Sequence, residues 1–338
     1  MNFNGNPYNP YQYPYGFYPY GNLTPEEYFE KLAIKKFSNS IGAAFLILNS
    51  ISFVASLVMV LLGSLNDAFL TWVIQILLST LVFTVPFIVS TKIMGVRVSD
   101  IISFKKVQPS MLFPLVLAGL GVSMLGNMAA SVISYTMSLF GIHPSYPDFP
   151  VPKGVFGGLI YFLGLCVVPA LVEEFAMRGV VMGSLRRFGD GFAIFVSAML
   201  FGIMHGNLIQ AVFAFILGLI LGYMTVASGS IWTAVTLHFL NNFLSLVISE
   251  ITKGLSAGNN VIISCAYFIL FLALGIIGAA LYLKKYPAGF RINKSKLFAP
   301  TKRAVKYFFS APLTIITLII YAITFITNQV AMSFLNNF

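Results

Sequence analysis

Charge is what this 338-residue chain has least of: 9% of its residues are Asp, Glu, Lys or Arg, against 58% hydrophobic. So little charge cannot clothe a soluble globule of this size, and the composition is that of a polytopic membrane protein. Cysteine is nearly missing. Cys166 and Cys265 both fall in apolar segments, as small buried hydrophobes, which argues against a disulfide framework and a Cys-based metal site. Neither Gly-x-Ser-x-Gly nor His-Glu-x-x-His occurs, so the α/β-hydrolase elbow and the usual zincin helix are excluded. The net charge of +10 does not point to nucleic acid, because the Lys and Arg residues gather in membrane-flanking loops, where they act as topology signals.

Residues 1–23 form a Tyr, Pro, Asn and Gly tract without charge or an apolar core, which reads as a disordered tail rather than a signal peptide. Thr24-Pro25-Glu26-Glu27 reads as a helix start, with Thr24 as N-cap, Pro25 at the first position and Glu27 at the capping-box position. An interfacial amphipathic helix over 24–40 follows, with Tyr28, Phe29, Leu32, Ala33 and Phe37 at helical spacing and Lys31, Lys35 and Lys36 between them.

Segments long enough to span follow at about 41–62, 70–90, 111–140, 155–181, 192–205, 208–227, 230–248, 261–283 and 308–326. The expected fold is an all-α membrane bundle of about eight core transmembrane helices plus a ninth, C-terminal one. The fifth segment is short, and the third contains Pro114, which predicts a tilt or kink. Three regions result: N-terminal transmembrane helices over 41–154, a helical core over 155–250, and C-terminal transmembrane helices over 251–338.

Lys and Arg alternate strongly between loops. One side holds Lys31, Lys35, Lys36, Lys92, Arg97, Lys105, Lys106, Arg186, Arg187 and the run from Lys284 to Lys306, whereas the other holds only Lys153 and Lys253. This asymmetry predicts an N-terminus in the cytoplasm, and a functional cavity opening to that side.

Against this background, Leu171-Val-Glu-Glu-Phe-Ala-Met-Arg178 stands out. Of ten acidic residues, only Glu173 and Glu174 lie well inside an apolar segment, and ionisable groups at membrane depth are costly unless paired or used. Glu174 and Arg178 are i, i+4 and can neutralise each other; Glu173 points about 100° away and is left free to face a cavity as a general base. The fourth and fifth segments form a hairpin through Phe188-Gly-Asp-Gly191, which brings Glu173 and His205 to one level, roughly 20 Å from the turn. Phe201 lies one turn from His205, and His238 and Asn242 share a face of the seventh segment at comparable depth. His143 lies in a Pro-rich loop and is set aside.

The order Glu173-Glu174-x-x-x-Arg178, Phe201-x-x-x-His205, His238-x-x-x-Asn242 resembles the CAAX protease and bacteriocin-processing (CPBP, or Abi) family of intramembrane endopeptidases, relatives of the Ras-converting-type CAAX prenyl protease. The resemblance covers about 155–250. It implies that Glu173 and His205 activate water while His238 and Asn242 stabilise the oxyanion, with Glu174, Arg178 and Phe201 in support. It further implies a bacterial cell membrane, and a membrane-associated peptide or lipopeptide as substrate. The ninth span and the Tyr-rich tail are additions to the family's eight-helix core. A metal is left open: Glu173, His205 and His238 could supply three zinc ligands with water as the fourth, yet a carboxylate, two imidazoles and an amide also suffice for hydrolysis without one. The competing class is a non-enzymatic membrane protein, either a proton-coupled transporter using these groups as a relay or a bacteriocin-immunity factor.

Overall fold

The structure is a computed structural model that describes residues 23–63, 67–142, 150–292 and 297–335. The tail up to residue 22 and His143 lie outside the described residues. All regular structure among the described residues is helical, in the order α1 (Pro25–Gly63), α2 (Ala68–Met94), the single turn α3 (Val98–Ile101), α4 (Pro109–Leu139), α5 (Gly154–Phe188), α6 (Asp190–Ile203), α7 (Leu208–Ser228), α8 (Trp232–Thr252), α9 (Ala257–Lys285), α10 (Thr301–Phe309) and α11 (Pro312–Leu335). Seven of these are long and apolar enough to cross a membrane, or eight if the bent pair α10–α11 counts as one span. The chain is therefore an all-α polytopic membrane bundle.

The expected nine spans reduce by α6. Its 14 residues reach roughly 21 Å, short of the ~30 Å hydrocarbon core. The ninth segment is also changed, since α10 and the first part of α11 meet at 74°.

The interfacial helix and the first span are one uninterrupted helix. Thr24 does cap it, its Oγ1 accepting from Glu27 N–H at 3.2 Å. Ser38, Asn39 and Ser40 look like a helix boundary in the sequence, yet no proline breaks the chain there and two of the three meet the C-terminal segment. Ser38 donates to the Phe308 carbonyl at 2.6 Å and lies 2.7 Å from the Thr314 hydroxyl; Asn39 Oδ1 accepts from Leu313 N–H at 3.0 Å; Thr317 donates to the Gly42 carbonyl at 3.0 Å. Hydrogen bonds of this kind hold helices together where apolar packing alone cannot tell neighbour from lipid. Glu27 does not close a capping box; its carboxylate accepts from Arg303 at 2.6 Å and Tyr307 at 2.8 Å. Cys166 is buried as expected, but Cys265 is exposed on α9.

The core over 155–250 is wrapped by α2 and α4, with α9 against α4. The α4–α9 contact is a backbone approach: a Cβ on Gly121 would lie 2.7 Å from Gly275 Cα, and one on Gly278 2.6 Å from Ala118 N. Enlarging such a position must push the helices apart, at about 1–3 kcal/mol. Gly275→Leu is therefore expected to lower the detergent melting temperature clearly, whereas Gly258→Ala, which meets open space on the same helix, should leave it nearly unchanged. Equal melting temperatures for the two variants would contradict this packing.

Candidate active site

α5 is not a regular helix. Wide, π-type turns at Leu163–Val167 and Phe175–Met182 flank the regular stretch Val168–Glu174, which ends on the two glutamates. Wide turns of this type are frequent at functional sites, because each rotates the following residues relative to a regular helix.

Glu174 and Arg178 pair as the spacing predicts, with Nη1 donating to Oε1 at 2.9 Å and both side chains fully buried. The guanidinium is fixed from two further directions. Its Nη2 donates to the Gly218 carbonyl on α7 at 3.3 Å, and its Cζ sits 4.3 Å above the Phe201 ring; the neighbouring backbone is tied to α6 by Ser197, which donates to the Met177 carbonyl at 3.1 Å. Gly218 has to be small: a Cβ there would lie 3.0 Å from Ala198 and 3.4 Å from Nη2.

Glu174 has a second partner that the spacing did not reveal. His238 Nδ1 lies 2.8 Å from the same Oε1. An Arg-paired carboxylate only accepts, so Nδ1 carries the hydrogen and Nε2 is the free ring nitrogen. That Nε2 is 4.0 Å from Glu173 Oε2. His205 is fixed in the same sense. Its Nδ1 lies 2.7 Å from the Phe201 carbonyl, which likewise only accepts, so Nε2 is again the free nitrogen. Phe201 makes edge-on contact with both imidazoles, at 5.1 Å to His205 and 5.9 Å to His238.

Asn242 completes the set. Its Nδ2 donates to the Leu165 carbonyl in the first wide turn at 3.3 Å, and its Oδ1 accepts from Asn241 at 3.4 Å. One amide N–H remains. Asn241 thus orients its neighbour.

Glu173, Phe201, His205, His238 and Asn242 line one cavity of about 430 Å³, while Glu174 and Arg178 stand behind it, as their pairing implies. Tyr161, Gln210, Ser245 and Ser249 also line it and were missed. The legible signal was on α8, where His238, Asn242, Ser245 and Ser249 recur at i, i+4, i+7 and i+11, a single helical face.

The zinc reading fares less well. Among the described residues, no three His, Cys, Asp or Glu side chains gather as a set able to hold a metal ion, so Glu173, His205 and His238 do not close around one point.

The cavity also opens to the unexpected side. Apart from the motif residues, its lining runs towards the ends of α5, α7 and α8 that adjoin Lys153, Asn207 and Lys253. Towards the Lys/Arg-rich side, Ile102, Met182, Ile231 and Leu237 are buried beneath it. The reason is the length of α6: the α6–α7 hairpin turns at residues 204–207, with Gly206 at φ 68°, before α6 has crossed the bundle.

No curated protein and no solved structure matches the chain. Residues 155–244, which hold every motif residue named above, match the family model described as Type II CAAX prenyl endopeptidase Rce1-like, in agreement with the CAAX protease family that the motifs resemble.

Proposed function

We propose that the chain is an intramembrane endopeptidase of CAAX type that hydrolyses a membrane-associated peptide with water activated by protein side chains. The observation that carries this reading is the shared cavity: a carboxylate outside the Glu174–Arg178 pair, two imidazoles presenting Nε2, and an amide with a free N–H, backed by a buried ion pair that keeps two of these elements in register. A proton relay has no use for the amide.

In the proposed reaction, water held between Glu173 and His205 Nε2 gives a proton to Glu173 as its oxygen attacks the peptide carbonyl carbon. The carbonyl oxygen takes the negative charge and receives hydrogen bonds from Asn242 Nδ2–H and from His238. With its Nδ1–H committed to Glu174, His238 reaches the oxyanion through Nε2, on the side that faces Glu173 at 4.0 Å. Collapse of the tetrahedral intermediate breaks the C–N bond, and Glu173 returns its proton to the leaving amine. Every step uses the side chains alone. Chelator treatment is accordingly expected to leave the rate unchanged; a loss restored by zinc would reinstate the ion.

Glu173 and Glu174 adjoin each other in sequence but should respond differently. Glu173→Gln is expected to lower kcat by about 10²–10⁴ with little change in thermal stability, because His238, 4.0 Å away, keeps its shorter bond to Glu174. Glu174→Gln leaves Arg178 buried without its counter-charge, which typically costs about 3–5 kcal/mol, and should show as a loss of folded protein. Equal loss of fold in both variants, seen by size-exclusion profile and melting temperature, would remove the division of roles.

Asn242→Ala separates hydrolysis from a relay. Loss of one oxyanion donor should reduce turnover by roughly 10²–10³ at saturating peptide, with little change in KM. A near-normal rate, read by mass spectrometry of cleaved peptide, would end the oxyanion role.

A further inference from the structure

The cavity has a direction, and its direction bears on what enters it. On α8 the polar face from His238 through Asn242 and Ser245 to Ser249 spans eleven residues, roughly 16 Å of helix. Ser245 and Ser249 are exposed, as is Gln210 in the first turn of α7 opposite. Tyr161 on α5 closes the third side, its indole neighbour Trp72 held to the Pro150 carbonyl at 3.0 Å. These groups supply hydroxyl and amide donors and acceptors spaced along a cavity that Leu165, Pro169, Phe213 and Leu246 also line, which suits a main chain carrying apolar side chains. A depth of roughly 16 Å takes about five extended residues at ~3.3 Å each, and 430 Å³ lies within the range of sites that enclose small ligands.

Towards the other end no residue of the Lys/Arg-rich loops lines the cavity, and a separate pocket of only about 20 Å³ lies there, lined by Ile102, Met182 and Ile231 with Arg178. Ile102, Met182, Ile231 and Leu237 are at most 6% exposed, and Ile102 and Ile231 both pack on the Gly179 backbone beneath Arg178. The Lys/Arg-rich loops lie beyond these residues.

Resting on the protease reading, we infer that the cavity admits an extended peptide from the membrane face opposite the Lys/Arg-rich loops, and that Tyr161, Gln210, Ser245 and Ser249 bind its main chain. By the loop-charge rule that face is extracytoplasmic. The substrate class is then a peptide exposed on the outer leaflet. The four residues are positioning groups: they act on binding, and the chemistry remains with Glu173, His205, His238 and Asn242.

The test uses the full chain with Cys166 and Cys265 replaced by alanine. Ser249→Cys and Lys106→Cys are made singly, Lys106 being exposed in the Lys/Arg-rich loop before α4. An impermeant maleimide applied to sealed right-side-out spheroplasts should label Ser249→Cys and spare Lys106→Cys until the membrane is opened. Modified Ser249→Cys should then hydrolyse a peptide library at least about tenfold more slowly, while modified Lys106→Cys keeps its rate. Gln210→Leu should raise KM about tenfold with kcat little changed, the split expected of ground-state binding. Labelling of both cysteines from one face, or full hydrolysis by the blocked Ser249→Cys protein, overturns the inference and leaves the protease reading standing. Labelling as expected with no peptide hydrolysis by the unmodified protein overturns the protease reading, and the peptide as occupant with it.

Discussion

The site depends on one oxygen atom. Glu174 Oε1 receives both the Arg178 guanidinium and His238 Nδ1, inside a bundle where neither a lone carboxylate nor a lone guanidinium could be held without severe cost. Satisfying it forces four helices to a point: α5 brings the ion pair, α7 offers the Gly218 carbonyl, α6 lays Phe201 under the guanidinium, and α8 delivers His238. The same contact sets chemistry, because it assigns the imidazole hydrogen to Nδ1 and turns Nε2 towards Glu173. A pairing read as structural thus decides which nitrogen faces the cavity.

Much of this was legible because i, i+4 spacing is a local property of a helix. Glu174 with Arg178, Phe201 with His205, and Glu173 turned away from its neighbour all follow from 3.6 residues per turn, even though wide turns interrupt α5 on both sides of the glutamates. What stayed hidden was non-local. Nothing in the sequence says that Glu174 meets a histidine 64 positions later, or that Asn241 holds Asn242. Equally hidden was the part played by Ser38 and Asn39, which bond to a segment 270 or more residues away. Span counting failed at α6 for a physical reason: hydropathy registers apolarity and is blind to where a 14-residue helix stops within the bilayer.

That stopping point matters more than the lost span. Had α6 crossed fully, its C-terminal turn would have filled the space above His205, and the cavity would be a closed polar pore in the bundle. Instead His205 sits on the turn itself, with its backbone N–H bonded at 3.2 Å to the Gly202 carbonyl and its ring tied back to Phe201. A histidine held at a helix end has one ring nitrogen committed to the last turn and the other free.

With no residue of the Lys/Arg-rich loops lining the cavity, water and peptide share one approach in the proposed reading. Hydrolysis inside a membrane needs both at once: a channel wide enough for the chain and polar enough to keep the attacking water supplied. Ser245, Ser249, Gln210 and the Tyr161 hydroxyl meet both needs, since the groups that would bind a main chain also hydrate an empty channel. A purely apolar channel would admit a lipid tail and exclude the nucleophile. On the proposed reading the polar face of α8 answers to the reaction as much as to the substrate, and its continuity with His238 and Asn242 on a single helix would keep peptide binding and oxyanion stabilisation in fixed register.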